Sequence, residues 1–307
     1  MTEAPCEASS DRSPVDDLLT VRDWLRYATS RFNAAGLTYG HGTSTSLDEA
    51  SFLILHTLDL PIDQLDPWLD ARLTVPERRD VLAIIERRIE TRKPAPYLTG
   101  VAYIQGHPFR VDERVIVPRS YFGELLSDGL SGVIPDPEAV ARALDLCTGS
   151  GCLAILMALS FPNALVDAVD LSPDALALAR ENITDYGMEQ RIQLLEGDLF
   201  EPAGEARYDL IISNPPYVSA ETMGRFPPEH RAEPEMAHAG GDDGLDIVRR
   251  ILAEAGSHLT EEGMLLVEVG TGRGILEAEY PDLPFLWLDT ADSEGEVFAL
   301  PASALVG

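Results

Sequence analysis

Four consecutive residues, Asn214-Pro215-Pro216-Tyr217, have the makings of a site that grips a planar amino group. A side-chain amide carries one acceptor oxygen and two donors. The carbonyl of Pro215 is a second acceptor, and the Tyr217 ring can lie over a flat group. Two accepted hydrogen bonds plus stacking suit the –NH2 of a carboxamide or an exocyclic amine. Proline has a fixed φ and no N–H, so neither strand nor helix continues through the pair. The residue before a proline is also pushed out of the right-handed helical region. The apolar run 208–213 just upstream reads as a buried strand. Asn214 is therefore expected to stand extended at the carboxyl end of a strand, where open α/β sheets bind ligands. Asn-Pro and Pro-Pro also punctuate ordinary loops, so the reading rests on what precedes them.

Three earlier strand ends carry the supporting chemistry. The run Leu144-Asp145-Leu146-Cys147-Thr148-Gly149-Ser150-Gly151-Cys152 is a Gly-x-Gly turn between strand and helix. Such a turn lets backbone approach a ligand in front of a helix N-terminus. Ala154 nominally completes a dinucleotide fingerprint. Asp145 argues the other way, because an acid pointing into the turn disfavours a pyrophosphate and favours the cationic end of an amino acid. The second strand ends in Asp170, and a carboxylate there suits the two hydroxyls of a ribose. The third is followed by Asp198-Leu199, an acid and an apolar wall that suit an adenine. Each acid alone is equally well read as a helix cap; all of them in register ahead of Asn214 are not.

These residues need a scaffold. From residue 139 onward, strands read at 143–147, 165–170, 192–196, 208–213, 264–269, 285–288 and 297–300, and helices at 152–161, 173–186 and 244–259. The alternation implies a seven-stranded, mostly parallel Rossmann-like α/β sheet with helices on both faces. The connection 289–296 is too short for a parallel crossover, so an antiparallel hairpin is expected at the end. Before it, residues 15–93 read as a small helical bundle. The first helix, 21–35, carries Trp24, Leu25, Ala28 and Phe32 at helical spacing, with Gly36 after it. Ser46-Leu47-Asp48-Glu49 reads as a capping box. A long helix to about Lys93 has Val81, Leu82, Ile85 and Ile89 as its buried stripe, and Arg78, Arg79, Glu86, Arg87 and Arg88 on the opposite, solvated face. Residues 94–138 form a linker with a β-hairpin around Gln105-Gly106-His107, and residues 1–14 a disordered tail.

Composition narrows the partners. The 307 residues carry a formal charge of −29 and one lysine, Lys93. That surface repels phosphate backbones, so direct nucleic-acid readout is not expected, and it would steer a basic protein. No apolar run approaches the roughly 20 residues of a membrane span. No signal peptide is visible in the first residues, and the three cysteines make no disulfide framework. A cytoplasmic protein is the simple expectation. His107, His230, His238 and His258 are scattered along the chain, and no metal site is expected.

With these residues in hand, the chain resembles the class I S-adenosylmethionine methyltransferases, and more narrowly the N(5)-glutamine methyltransferases that modify proteins of translation. The carriers are Pro96-Tyr97-Leu98-Thr99-Gly100, Val117-Pro118-Arg119-Ser120, the Asp145–Gly151 turn, Asn214–Tyr217, Glu233-Pro234-Glu235 and Gly241-Asp242-Asp243-Gly244-Leu245-Asp246. The stretches Thr38-Tyr39-Gly40-His41-Gly42-Thr43 and Pro118-Arg119-Ser120-Tyr121-Phe122-Gly123-Glu124 resemble the subfamily acting on the third large-subunit ribosomal protein. The release-factor subfamily usually reads Pro-Arg-Pro-Asp-Thr-Glu at the second position. Tyr121-Phe122 departs from the first subfamily's common proline and small aliphatic residue. The resemblance implies that Cys147, Thr148, Gly149, Ser150, Gly151, Asp170 and Leu199, with Asp145, Asp198 and Asn214, hold S-adenosylmethionine. It implies that Asn214, Pro215, Pro216 and Tyr217 hold the glutamine amide, and that the helical bundle recognises the protein substrate. Rival expectations are a release-factor glutamine methyltransferase, a DNA adenine-N(6) methyltransferase, and a cofactor-binding ribosome assembly factor without catalysis.

Overall fold

The computed structural model describes residues 13–291 and 293–305. The chain divides into two compact units, one ending at Thr99 and one beginning at Gly100. The expectation of a disordered tail falls mostly on residues outside those described; Pro14 already opens a short helix.

The first unit is all helical: α1 (Pro14–Asp17), α2 (Val21–Ala35), α3 (Ser46–Thr57), α4 (Val75–Thr91) and α5 (Ala95–Thr99). Trp24, Ala28 and Phe32 of α2 are wholly buried against Leu53 and Ile54 of α3 and Val81 and Ile85 of α4. Gly36 closes α2 with φ 58°, the left-handed turn that glycine takes without strain. Three details differ from expectation. The proline-rich 94–99 stretch continues the helical unit as α5. Arg88 does not lie on a solvated face: it is fully buried and its Nε donates to Glu49 Oε1 at 2.7 Å. The cap of α3 is Thr45, accepting from Asp48 N at 3.1 Å. Glu49, the residue the expected capping box would need, is already bound to Arg88 and Thr43.

The second unit opens with the hairpin β1 (Val101–Ile104) and β2 (His107–Arg110). Gln105 (φ 49°) and Gly106 (φ 79°) make its two-residue turn, and two positive φ values match the twist of the paired strands. After α6 (Phe122–Ser127) come β3 (Arg142–Leu146), α7 (Cys152–Ser160), β4 (Leu165–Asp170), α8 (Pro173–Asp185), β5 (Ile192–Glu196) and β6 (Tyr208–Ser213). The chain ends through α9 (Ala220–Met223), α10 (Asp246–His258), β7 (Leu259–Glu268), α11 (Arg273–Glu279), β8 (Leu286–Thr290), β9 (Ser293–Pro301) and α12 (Ala302–Leu305). The helices α9, α11 and α12 were not expected from the sequence.

The seven-stranded sheet has the order β5-β4-β3-β6-β7-β9-β8. The pairs from β5 to β7 are parallel, and β9 runs antiparallel to both β7 and β8. The seven-stranded α/β sheet with its antiparallel end is thus as expected. Side chains alternate between two cores: Ala143, Leu210 and Ile212 face α7, and Leu144, Leu146 and Ile211 face α10. The chain leaves β3 toward β4 on one side and later returns as β6 on the other. The carboxyl ends of β3 and β6 therefore bound the crevice where the strand order reverses. No helix among the described residues is long and apolar enough to cross a membrane.

Candidate active site

The Gly-x-Gly turn and Asn214 meet at this reversal. Ser213 Oγ at the end of β6 donates to the Leu146 carbonyl at 3.0 Å, tying the two strand ends together. In front of them lies a cavity of about 310 Å³. Its walls include Cys147, Gly149, Asp170, Asp198, Leu199 and Asn214. Six of the expected cofactor residues are therefore gathered on one space.

The other four stand behind it. Thr148 and Ser150 are buried. Gly151 abuts α8, where an added Cβ would lie 3.1 Å from the Ala179 Cβ, so it serves helix packing. Asp145 is fully buried; its Oδ2 accepts from Thr148 Oγ1 and from Ala154 N. Its Oδ1 has no partner. Burial pushes the Asp145 carboxyl up to about 7 against the pull of those hydrogen bonds. Asp170 accepts from Gly149 N and Ser172 N, both at 2.8 Å, which pins the turn to the end of β4. A carboxylate has about four lone-pair positions, so Asp170 keeps capacity for hydroxyls in the cavity. Burial raises its pKa also. Asp198 pairs with Arg250 at 2.9 Å while still lining the cavity.

Two non-glycine residues lining this space sit in the left-handed region, Cys147 at φ 61° and Leu199 at φ 49°. Strain of this kind costs on the order of 1–3 kcal/mol per residue and collects at functional sites. The cavity also takes in Arg114, Val115 and Ile116 from the linker, and Pro234, Met236 and Ala237 from the loop after β6. Sequence reasoning missed these walls.

A second cavity of about 200 Å³ opens on the other side of Asn214. Asn214, Pro215 and Tyr217 line it together with Arg119, His230 and His238. Pro216 instead faces the first cavity. The two histidines, expected to be scattered structural residues, converge here. Asn214 Nδ2 faces the Arg119 carbonyl at 3.4 Å. Only the N–H end of the amide can meet a carbonyl oxygen, so Oδ1 is the end left for a ligand. Tyr217 does not present a free phenol: its hydroxyl donates to Glu268 Oε1 at 2.9 Å, and its ring packs on Gly270, where a Cβ would come within 2.8 Å of the ring. Burial and the Glu268 charge raise the Tyr217 pKa well above that of a free phenol. Glu268, at the end of β7, was overlooked in the sequence although it is one more acid closing a strand.

Residues 129–225 match the family model described as methyltransferase small domain. The ribosomal protein uL3 glutamine methyltransferase of Burkholderia pseudomallei is 56% identical over 93% of this chain and 95% of its own length. The protein of the same name from Bradyrhizobium diazoefficiens is 54% identical over 94% of this chain and 92% of its own. Among solved structures, TrmN from Thermus thermophilus aligns at a TM-score of 0.42 and 23% identity, over 58% of this chain and 48% of that one. With more than half of its residues shared along nearly its whole length, the chain belongs to the family of ribosomal protein uL3 glutamine methyltransferases.

Proposed function

We propose that the protein transfers a methyl group from S-adenosylmethionine to the side-chain amide nitrogen of a glutamine in ribosomal protein uL3. The observation that carries this reading is Asn214 standing in the partition between the two cavities, with its acceptor oxygen uncommitted. The donor fits the first cavity by the chemistry of its walls. Asp170 suits the ribose hydroxyls, Leu199 and Asp198 the adenine, and the unpartnered Asp145 Oδ1 supplies negative charge behind the turn for an amino-acid cation. S-adenosylmethionine supplies a methyl group already activated by its sulfonium.

The residues of the chain then have one main task. An amide nitrogen is a weak nucleophile because its lone pair is delocalised into the carbonyl. Asn214 Oδ1 and the Pro215 carbonyl accept its two N–H groups, which polarises the nitrogen and aims its lone pair at the first cavity. Holding reactants in line lowers a barrier by roughly 7–11 kcal/mol in good cases. The surplus proton leaves the nitrogen for water after transfer. The helical unit is assigned to recognition of the protein substrate, and the charge of −29 favours a basic one. The setting is the cytoplasm, where ribosomal proteins are made.

The test is methylation of a cell extract that holds ribosomal proteins, release factors and DNA with labelled S-adenosylmethionine, followed by mass spectrometry of the labelled peptides and nucleosides. Label on a glutamine side chain of uL3 is expected. Label on a release factor or on DNA adenine instead overturns the reading.

A further inference from the structure

Glu268 is 1% exposed and its carboxylate collects three donors from two distant parts of the chain. Ser120 Oγ donates to Oε2 at 2.6 Å and Tyr121 N to the same oxygen at 3.2 Å. Tyr217 donates to Oε1 at 2.9 Å. One residue back, Arg119 offers its carbonyl to Asn214 and places its guanidinium on Glu233. Glu233 in turn accepts from Val117 N at 2.9 Å. Linker residues 117–121 are thus fastened at one end by Glu233 and at the other by Glu268, and the Arg119 carbonyl that orients Asn214 lies between the two. Gly270 completes the arrangement, because its left-handed backbone and missing Cβ leave the space that the Tyr217 ring fills.

We infer that Glu268 is a positioning residue for methyl transfer: its carboxylate locks the Tyr217 ring and the 117–121 linker into the one arrangement that aims Asn214 at the acceptor amide. This rests on the acceptor role of Asn214 proposed above. Glu268 touches neither donor nor acceptor and acts only through Tyr217 and the linker. The donors occupy both oxygens, and a proton on either would place a donor where one of them must donate, so the ionised carboxylate fits the lock best. Burial and the Glu296 charge on β9 oppose ionisation, while Ser120, Tyr121 and Tyr217 favour it, and the balance lies at about 7. Arg119, whose charge acts on Tyr217, is the nearby cation. Protonation below neutrality removes acceptor capacity and opens the lock.

The experiment is Glu268→Gln, assayed by methylation of uL3 across pH 5.5–9 at saturating cofactor. A glutamine keeps the shape and one acceptor oxygen but offers N–H groups where Ser120 or Tyr217 must donate. The wild-type kcat is expected to fall on the acid side of about pH 7, and the variant to show a tenfold or greater fall in kcat with unchanged cofactor affinity and no such acid limb. Wild-type kcat and an unchanged pH profile overturn the inference, and so does a loss confined to cofactor affinity. If Glu268→Gln does not fold, Tyr217→Phe removes one strand of the lock and must lower kcat at unchanged cofactor affinity. Hydrogen–deuterium exchange provides a readout independent of the acceptor: the variant must exchange faster at 117–121 and 217–218. Inactivity of the wild type on uL3 would fault the proposed substrate, whereas unchanged exchange in the variant would fault the lock.

Discussion

Glu49 in the helical unit and Asp145 in the sheet unit are both carboxylates removed from water, and they are treated in opposite ways. Glu49 meets a buried Arg88 at 2.7 Å, and its second oxygen takes Thr43 Oγ1 at 3.1 Å. Burial raises its pKa and the Arg88 charge pulls it back. Asp145 has no cation beside it among the described residues. Its opposing influences are a hydroxyl and a backbone N–H on one oxygen, and the nearby Asp170 adds to the effect of burial. Its other oxygen is left without a partner. The helical unit closes its buried charge into a pair and tethers the Thr38 carbonyl with it. The sheet unit keeps an uncommitted carboxylate behind the crevice, as ligand sites do.

The comparison breaks hardest at Arg88. Arg88→Met leaves Glu49 buried without its cation, and loss of one member of a buried pair costs about 3–5 kcal/mol. Chemical denaturation should show that loss while cofactor binding is unchanged. Glu49→Leu with Arg88→Met should recover most of it, because well-packed apolar residues replace a buried pair at little cost. A stable single variant would mean that the pair is not the closed contact described.

Asn214→Ala should do the reverse, removing turnover and sparing stability. Deleting one preorganised hydrogen-bonding group from a reacting centre costs about 10²–10³-fold in rate. Single-turnover methylation at saturating cofactor should show that fall with cofactor affinity intact; an equal rate would remove Asn214 from its role. Asp170→Ala should act on the other cavity, weakening the cofactor by roughly 10–100-fold, the scale of hydrogen bonds to a charged group. Calorimetry showing an unchanged Kd would end the ribose assignment.

How far the sequence revealed all this depended on the range of each signal. The sheet, the glycine turn and Asn214 were legible because strand alternation, positive φ and proline rigidity act within a few residues. The terminal hairpin followed from the length of a connection. Glu268 and Glu233 were not legible as site residues because their partners lie 148 and 114 residues away. Yet Glu268 ends a strand as Asp170 does, and the rule that picked out acids at strand ends could have reached it. Arg88 shares a helix with exposed arginines, and only the packing of α3 against α4 distinguishes it. The misplaced capping box has the same origin: Thr45-x-x-Asp48 and Ser46-x-x-Glu49 are equivalent locally, and the distant Arg88 decides between them by taking Glu49.

The most gradual effect, and the one that sharpens the contrast between the two carboxylates, is in pH. Asp145 sits at about 7 in the folded protein against an ordinary 3.8. Between those values the folded state holds a proton that the unfolded chain has released. Stability from this group is therefore full below about pH 4 and declines as pH rises through about 7, by at most about 1.4 kcal/mol per pH unit. Glu268, also raised to about 7, contributes in the same direction. Cofactor affinity should move the opposite way, since a cationic amino group favours ionised Asp145 and binding strengthens across the same window. Denaturation and calorimetry at pH 5, 6, 7 and 8 should show the two curves diverging. In Asp145→Asn the affinity should lose most of its pH dependence and the stability slope should shrink by the share of Asp145, leaving that of the other raised carboxyls, Glu268, Asp170 and Glu49. If the affinity of Asp145→Asn still climbs with pH as in the wild type, the charge of Asp145 behind the turn is not what favours the cation.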